Sequence, residues 1–198
     1  DNVGAFTCDD AHIEIQQIAL GGREHFDGTA VDLTGFRSTC DVDVRYLGYN
    51  ENTLDYNYVL RQRGEKTRTY TFANGVLAGK SQKLLRDTID LIHGGKGAVG
   101  REKETVLLTS DDVRNKSLPA ILCDEDDVQG DHGATIGHVN PEQRDYMQTR
   151  GLTVDQIESL FESAAFDYAA DHAIGDHAHD AVDRLAQKVL GHATNEED

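Results

Sequence analysis

The feature that most constrains this chain is alternation. From its start to about Val139 it is written in short runs of alternating polar and apolar residues, punctuated by glycine. Ile13-Glu14-Ile15, Ala30-Val31-Asp32-Leu33, Val42-Asp43-Val44 and Tyr56-Asn57-Tyr58 are examples. Successive side chains of an extended chain point to opposite faces, so each run offers one apolar face for burial. Gly21-Gly22, Gly28, Gly35, Gly48, Gly64, Gly75, Gly79 and Gly94-Gly95 separate the runs and let the chain turn repeatedly. A sandwich, a barrel or a β-solenoid satisfies this pattern, and no strict repeat selects among them. The stretch from Gln82 to Ile92 reads two ways. Leu84, Leu85, Thr88, Ile89 and Ile92 fall at helical spacing, yet three of them are β-branched, as strands favour.

After Val139 the pattern changes to helix. Asn140 stands as an N-cap before Pro141 at the first helical position, with Gln143 placed to close a capping box and Gly151 to stop the helix. Thr153 and Gln156 repeat the capping pattern. The next helix sets Ile157, Leu160, Phe161, Ala164 and Tyr168 on one face, and a last segment does so with Val182, Leu185 and Val189. So few helices cannot bury these stripes against one another, so they must pack on the β body, on a partner, or on both. Residues from Ala193 to Asp198 read as a frayed acidic tail. The expected organisation is a β region over 1–139 and a helical region over 140–198.

Charge narrows the function classes. Asp and Glu number 36 against 19 Lys and Arg, a formal net charge of -17 spread along the chain. Such a surface repels phosphate backbones and anionic lipid, and no apolar run reaches the length of a membrane span or secretory signal. We expect neither nucleic-acid nor membrane binding, and a cytoplasmic location. The start at Asp1, without a Met, is what an excised fragment or a processed product would have. Cys8, Cys40 and Cys123 are odd in number, far apart and free of any Cys-x-x-Cys pairing, which argues against a disulfide framework or a self-contained zinc site. Cys8 and Cys40 are expected to be small buried side chains.

Two segments could carry chemistry. The first runs from Leu118 to Gly137: an apolar strand ending in Cys123, four acids at Asp124, Glu125, Asp126 and Asp127, then His132 with Gly130 and Gly133 close by. Thiolate and imidazole are ligands that iron and zinc prefer, and the glycines let backbone or a partner approach. The second is Asp171 to Asp180, where His172, Asp176 and His179 would share the face of one helix as a metal box. Gly175 weakens that helix, and a solvated face is its plainer reading.

Several ordered motifs resemble the SufB/SufD family of iron–sulphur cluster assembly proteins. They are Gly75-Val76-Leu77-Ala78-Gly79-Lys80, the segment Glu104 to Asp111, His132-Gly133-Ala134-Thr135-Ile136-Gly137, the helix Glu142 to Thr149, Arg150-Gly151-Leu152, and the helix Asp155 to Phe166. The likeness is densest after Leu118 and resembles the C-terminal part of the family core. It implies a right-handed parallel β-helix followed by a small C-terminal α-helical domain, and it makes Gln82 to Ile92 a strand.

The resemblance further implies a scaffold without catalysis of its own, working with a SufC-like ATPase and with a SufB-like subunit or a second copy of itself. No Gly-x-x-x-x-Gly-Lys-Ser/Thr loop occurs, so ATP hydrolysis would belong to the SufC partner. SufB-like members present a Cys near the last strand, SufD-like members a His, and His132 matches the latter. Many SufD-like members carry a Cys two residues before that His, where this chain has Gly130. The resemblance thus implies His132, with Cys123 as a second candidate, as a ligand for iron or a transient cluster. It implies Ile157, Leu160, Phe161 and Tyr168 as docking residues for the ATPase. Two alternatives stand beside it: a carbohydrate-active β-helix enzyme using the acids at 124–127, and a metal-binding protein using the C-terminal histidines.

Overall fold

The computed structural model describes residues 1–193, with side chains in the last helix as far as residue 185. Its strands are β1 (Asn2–Thr7), β2 (His12–Ala19), β3 (Glu24–Leu33), β4 (Thr39–Gly48), β5 (Thr53–Gln62), β6 (Arg68–Leu77), β7 (Gln82–Leu91), β8 (Val99–Leu108), β9 (Arg114–Cys123) and β10 (Gln129–His138). Three helices follow: α1 (Pro141–Thr149), α2 (Val154–Asp171) and α3 (Asp176–Ala193). The odd strands form one parallel sheet, sheet A, ordered β1-β3-β5-β7-β9, and the even strands form sheet B, ordered β10-β8-β6-β4-β2. A chain that crosses between two parallel sheets at every strand is a solenoid, here of about five turns. The segment that read both ways is strand β7.

The register gives the period. Glu24 lies beside Thr53, and Thr53 beside Gln82, a step of about 29 residues. Later steps lengthen, with Arg68 beside Val99 and Gln82 beside Arg114. This drift is why no strict repeat is legible. What repeats is a corner. Ser38 and Thr67 donate their hydroxyls to the carbonyls of Gly35 and Gly64 one turn apart. Asp10, Arg37, Lys66 and Gly97 occupy the same corner position with φ of 56°, 56°, 57° and 74°. Three of these are not glycine, so each carries roughly 1–2 kcal/mol of left-handed strain. Stacking holds them there: the N–H of each donates to a carbonyl of the next turn, at Phe36, Glu65, Lys96 and Asp127.

Alternation buries every second side chain inside the winding. Val31, Leu33, Val42, Val44, Leu54 and Leu60 fill the early turns with Tyr46, Tyr56 and Tyr58, whose rings lie 5.7 and 6.2 Å apart in sequence order. Gly75 makes room for this cluster, since a Cβ there would stand 2.2 Å from the Tyr46 ring. Cys40 is buried as expected, but Cys8 is exposed, because it falls at the corner after β1 rather than on an inward strand position.

The helices begin where the caps placed them. Asn140 accepts from the Glu142 N–H, and Thr153 and Gln156 form a capping box. Their packing departs from expectation. Phe166 and Ala169 of α2, with Val182 of α3, bury against Leu20, Leu47 and Val76 on the outer side of sheet B. The sheet-facing stripe of α2 is thus centred on Phe166 and its neighbouring alanines, not on Leu160 and Tyr168, because small residues let the helix approach closely. The side chain of Val189 and the tail beyond Ala193 lie outside what the structure describes.

Candidate functional site

The last turn of the solenoid differs from those before it. Strands β3 to β8 alternate between buried and accessible residues, whereas β9 and β10 hold no buried residue. Leu118, Ile121, Leu122 and Ile136 are exposed. Each of these strands also has one hydrogen-bonded neighbour only, so two strand edges face outward together.

His132 sits in this turn, on the face that points inward in every earlier one. The register aligns Ile15, Val42, Thr71, Glu102 and His132 in one row along sheet B. The row passes from aliphatic to hydroxyl to carboxylate to imidazole as it nears the open end. His132 Nδ1 lies 3.1 Å from Glu102 Oε2, with the imidazole 28% and the carboxylate 2% exposed.

Behind that pair the interior is charged. Lys83 of β7 bonds Glu104 of β8, both side chains wholly buried, and donates to Ser117 Oγ at 3.2 Å. Asp87 is buried nearby, and no hydrogen bond of ordinary length reaches either of its oxygens. Burial, reinforced by the neighbouring Glu102, pushes Asp87 up to about 7. Burial and Glu104 likewise push Glu102 up to about 7, and burial pushes the Lys83 ammonium down against the pull of Glu104.

Cys123 and His132 are not brought together. Cys123 ends β9 in the row of Leu33, Gln62 and Leu91 on sheet A, exposed, with its thiol donating to the Glu125 carbonyl at 3.3 Å. It is therefore not a buried thiol, because the turn that would cover it is the last one. Gly130 shares the face of His132, and a Cβ there would meet Ile121 Cγ2 at 2.8 Å.

Other candidates sort by geometry. Glu125 accepts backbone N–H groups from Gly94, Asp126 and Asp127, and the Gly94 bond foremost holds its carboxyl below the usual range. The acidic turn is thus organised as a corner, with its best-placed carboxylate engaged by backbone. The C-terminal metal box does not form on one helix: His172 ends α2 with Nδ1 against the Tyr168 carbonyl, Gly175 breaks the chain with φ 85°, and Asp176 and His179 belong to α3. Among the described residues no group of three His, Cys, Asp or Glu is placed to hold a metal ion.

Of the four residues read as docking candidates, Ile157 is buried within its own chain. Leu160 is exposed, Phe161 lines a small cavity beside Gly75 and Leu107, and the Tyr168 ring lies between Arg45, at 4.6 Å, and His172, at 4.0 Å. The helices lie on the flank of sheet B and leave the open end of the solenoid uncovered, so they do not cap it.

Lys83, Asp87, Glu102 and Glu104 escaped the reading of the sequence, where charged strand residues look solvated. Their parity gives them away. Lys83 and Asp87 alternate in phase with Leu85, Ile89 and Leu91, and Glu102 and Glu104 with Val106. An outer groove of about 1010 Å³ runs past His132, its lining mixing Arg68, Arg101 and Lys103 with Asp41, Glu102 and Asp131, and Arg101 pairs with Asp131 at 3.4 Å.

The sequence is similar to those of known proteins. The family model for the SUF system FeS cluster assembly SufBD core domain matches residues 2–165. The iron–sulfur cluster assembly protein SufD of Bacillus subtilis is 26% identical over 157 residues, covering 79% of this chain and 36% of that protein. A SufBD family iron–sulfur cluster assembly protein of Mycobacterium tuberculosis is 25% identical over 142 residues, covering 71% of this chain and 17% of its own length. One of Pyrococcus horikoshii is 25% identical over 114 residues, covering 58% of this chain and 25% of its own. The chain therefore spans about a third or less of these relatives. The match over most of its length, on a parallel solenoid followed by helices, makes this chain a member of the SufB/SufD family of iron–sulphur cluster assembly proteins.

Proposed function

We propose that this chain is the cluster-building end of a SufD-like scaffold subunit, on which an iron–sulphur cluster is assembled as cargo and then released. The observation that carries the reading is the placement of His132: an accessible imidazole on the inner face of an uncovered last turn, anchored from behind by a buried carboxylate. One imidazole cannot hold iron or a cluster alone, so the remaining ligands come from sulphide and from a partner. The partner is a SufB-like subunit or a second copy of this chain, seated on the open strand edges and the apolar residues Leu118, Ile121, Leu122 and Ile136. Cys123, exposed at the corner of the same turn, is a secondary ligand candidate.

A SufC-like ATPase docks on the outer side of α2, where Leu160 and Val154 are exposed and Tyr168 is accessible at the edge. The chain performs no chemistry of its own in this account. Co-expression with a SufC-like ATPase tests it: a stable complex is expected from the parent protein, weakened by Leu160→Asp. Failure of the parent to associate with its helices intact would contradict the scaffold reading.

A further inference from the structure

We infer that Glu102 is a positioning residue that sets which nitrogen of His132 is free to bind iron; the inference rests on the proposal that His132 is a ligand. The two side chains meet at 3.1 Å between Oε2 and Nδ1. When ionised, the Glu102 carboxylate can only accept, so the bond then places the imidazole hydrogen on Nδ1 and leaves the lone pair on Nε2, across the ring from Glu102. A carboxylate behind a ligating histidine also fixes the ring's orientation and raises its basicity as a donor.

Three further observations single out Glu102. It stands on β8, which is paired on both sides by β6 and β10, so the carboxylate is held by a rigid element. It occupies a row whose earlier members are Ile15, Val42 and Thr71, so the winding itself does not call for a charge at this place. Burying an acid there is costly, and its second oxygen, Oε1, finds no partner. Finally, the next inward acid, Glu104, is engaged by Lys83, which leaves Glu102 as the carboxylate bonded to the imidazole. A residue that weakens the core yet meets His132, the less exposed of the two imidazoles on β10, is better explained by what it does to that imidazole than by stability.

The test uses the chain with 15N-labelled histidine, comparing the parent with Glu102→Gln and His132→Ala. NMR reads the tautomer of His132 in the chain alone, and anaerobic titration of the chain mixed with a SufB-like protein, using Co2+ in place of Fe2+, reads its metal affinity. Thermal unfolding without metal checks that both variants remain folded. Glu102→Gln keeps the shape and removes a buried charge, so folding is retained. We expect an Nδ1–H tautomer in the parent, a shift towards Nε2–H in Glu102→Gln, and an affinity about 10–100-fold weaker. An unchanged tautomer in Glu102→Gln overturns the inference, whether or not the affinity falls. If His132→Ala leaves Co2+ binding intact, the ligand reading itself fails, a result separate from the tautomer measurement.

Discussion

The interior of the solenoid is two different materials. In the early turns it is mostly aliphatic and aromatic, with Val31, Val42, Val44, Tyr56, Tyr58 and Leu60 packed in register and Asp27, beside His25 and the Asp1 amine, as a charged exception. Toward the last turns the same inward positions carry Lys83, Asp87, Glu102, Glu104 and finally His132. Strands of both regions are 10 residues long, though the connections between them lengthen, so strand geometry does not call for the charges. Stacked hydrogen bonds and apolar rows hold the winding, and that stability lets the later rows carry side chains that a smaller core could not tolerate.

The comparison breaks most visibly at Lys83. Lys83→Met strands Glu104 without its counter-ion, and we expect a loss of about 3–5 kcal/mol in urea unfolding. Adding Glu104→Leu should recover most of it, since replacing both members of a buried pair with apolar residues is often neutral. A double variant as unstable as the single one would mean that the pair is needed for the fold.

Acidity offers the next contrast. Asp87 has a folded value of about 7 against an ordinary 3.8, so the folded state holds its proton more tightly. Its contribution to stability is complete below about pH 4 and is lost as the pH rises through 7. At about 1.4 kcal/mol per pKa unit, the loss is on the order of 4 kcal/mol. Asp87→Asn should flatten the pH dependence, leaving the part that Glu102 contributes, and be more stable than the parent at pH 8. Parallel stability curves for the two proteins would show that Asp87 is not titrating in the core.

A smaller effect sharpens the boundary between closed and open turns. Val31, Leu60, Ile89 and Ile121 form one row of sheet A. Ile89 is 1% exposed and Ile121 38%. Ile89→Val should cost about 0.5–1.5 kcal/mol, and Ile121→Val within about 0.5 kcal/mol. Equal costs would mean that the last turn is packed like the others.

How much of this was legible in the sequence follows from the same physics. Alternation and glycine announce strands and corners, because period and backbone freedom are local properties. Asn140, Thr153 and Gly151 announce helix ends for the same reason. The choice of a solenoid over a sandwich was not local: it needed the step from Glu24 to Thr53 to Gln82, which no identical residues mark. The partner of His132 was hidden likewise. Glu102 lies one turn away on the next strand of the sheet, and a charged residue in an alternating run gives no sign of its face until a neighbour such as Val106 fixes the parity. The helical stripe misled because amphipathic spacing shows that a face exists but not what covers it. Phe166, not Leu160, meets sheet B.

The central claim is that the open turn presents His132 to a nascent cluster. Anaerobic reconstitution with ferrous iron and sulphide tests this, using the protein mixed with a SufB-like protein and reading cluster absorbance in the parent, His132→Ala and Cys123→Ala. The account predicts that His132→Ala loses most of the absorbance while the complex stays assembled, and that Cys123→Ala keeps most of it. Full absorbance in His132→Ala would contradict the account.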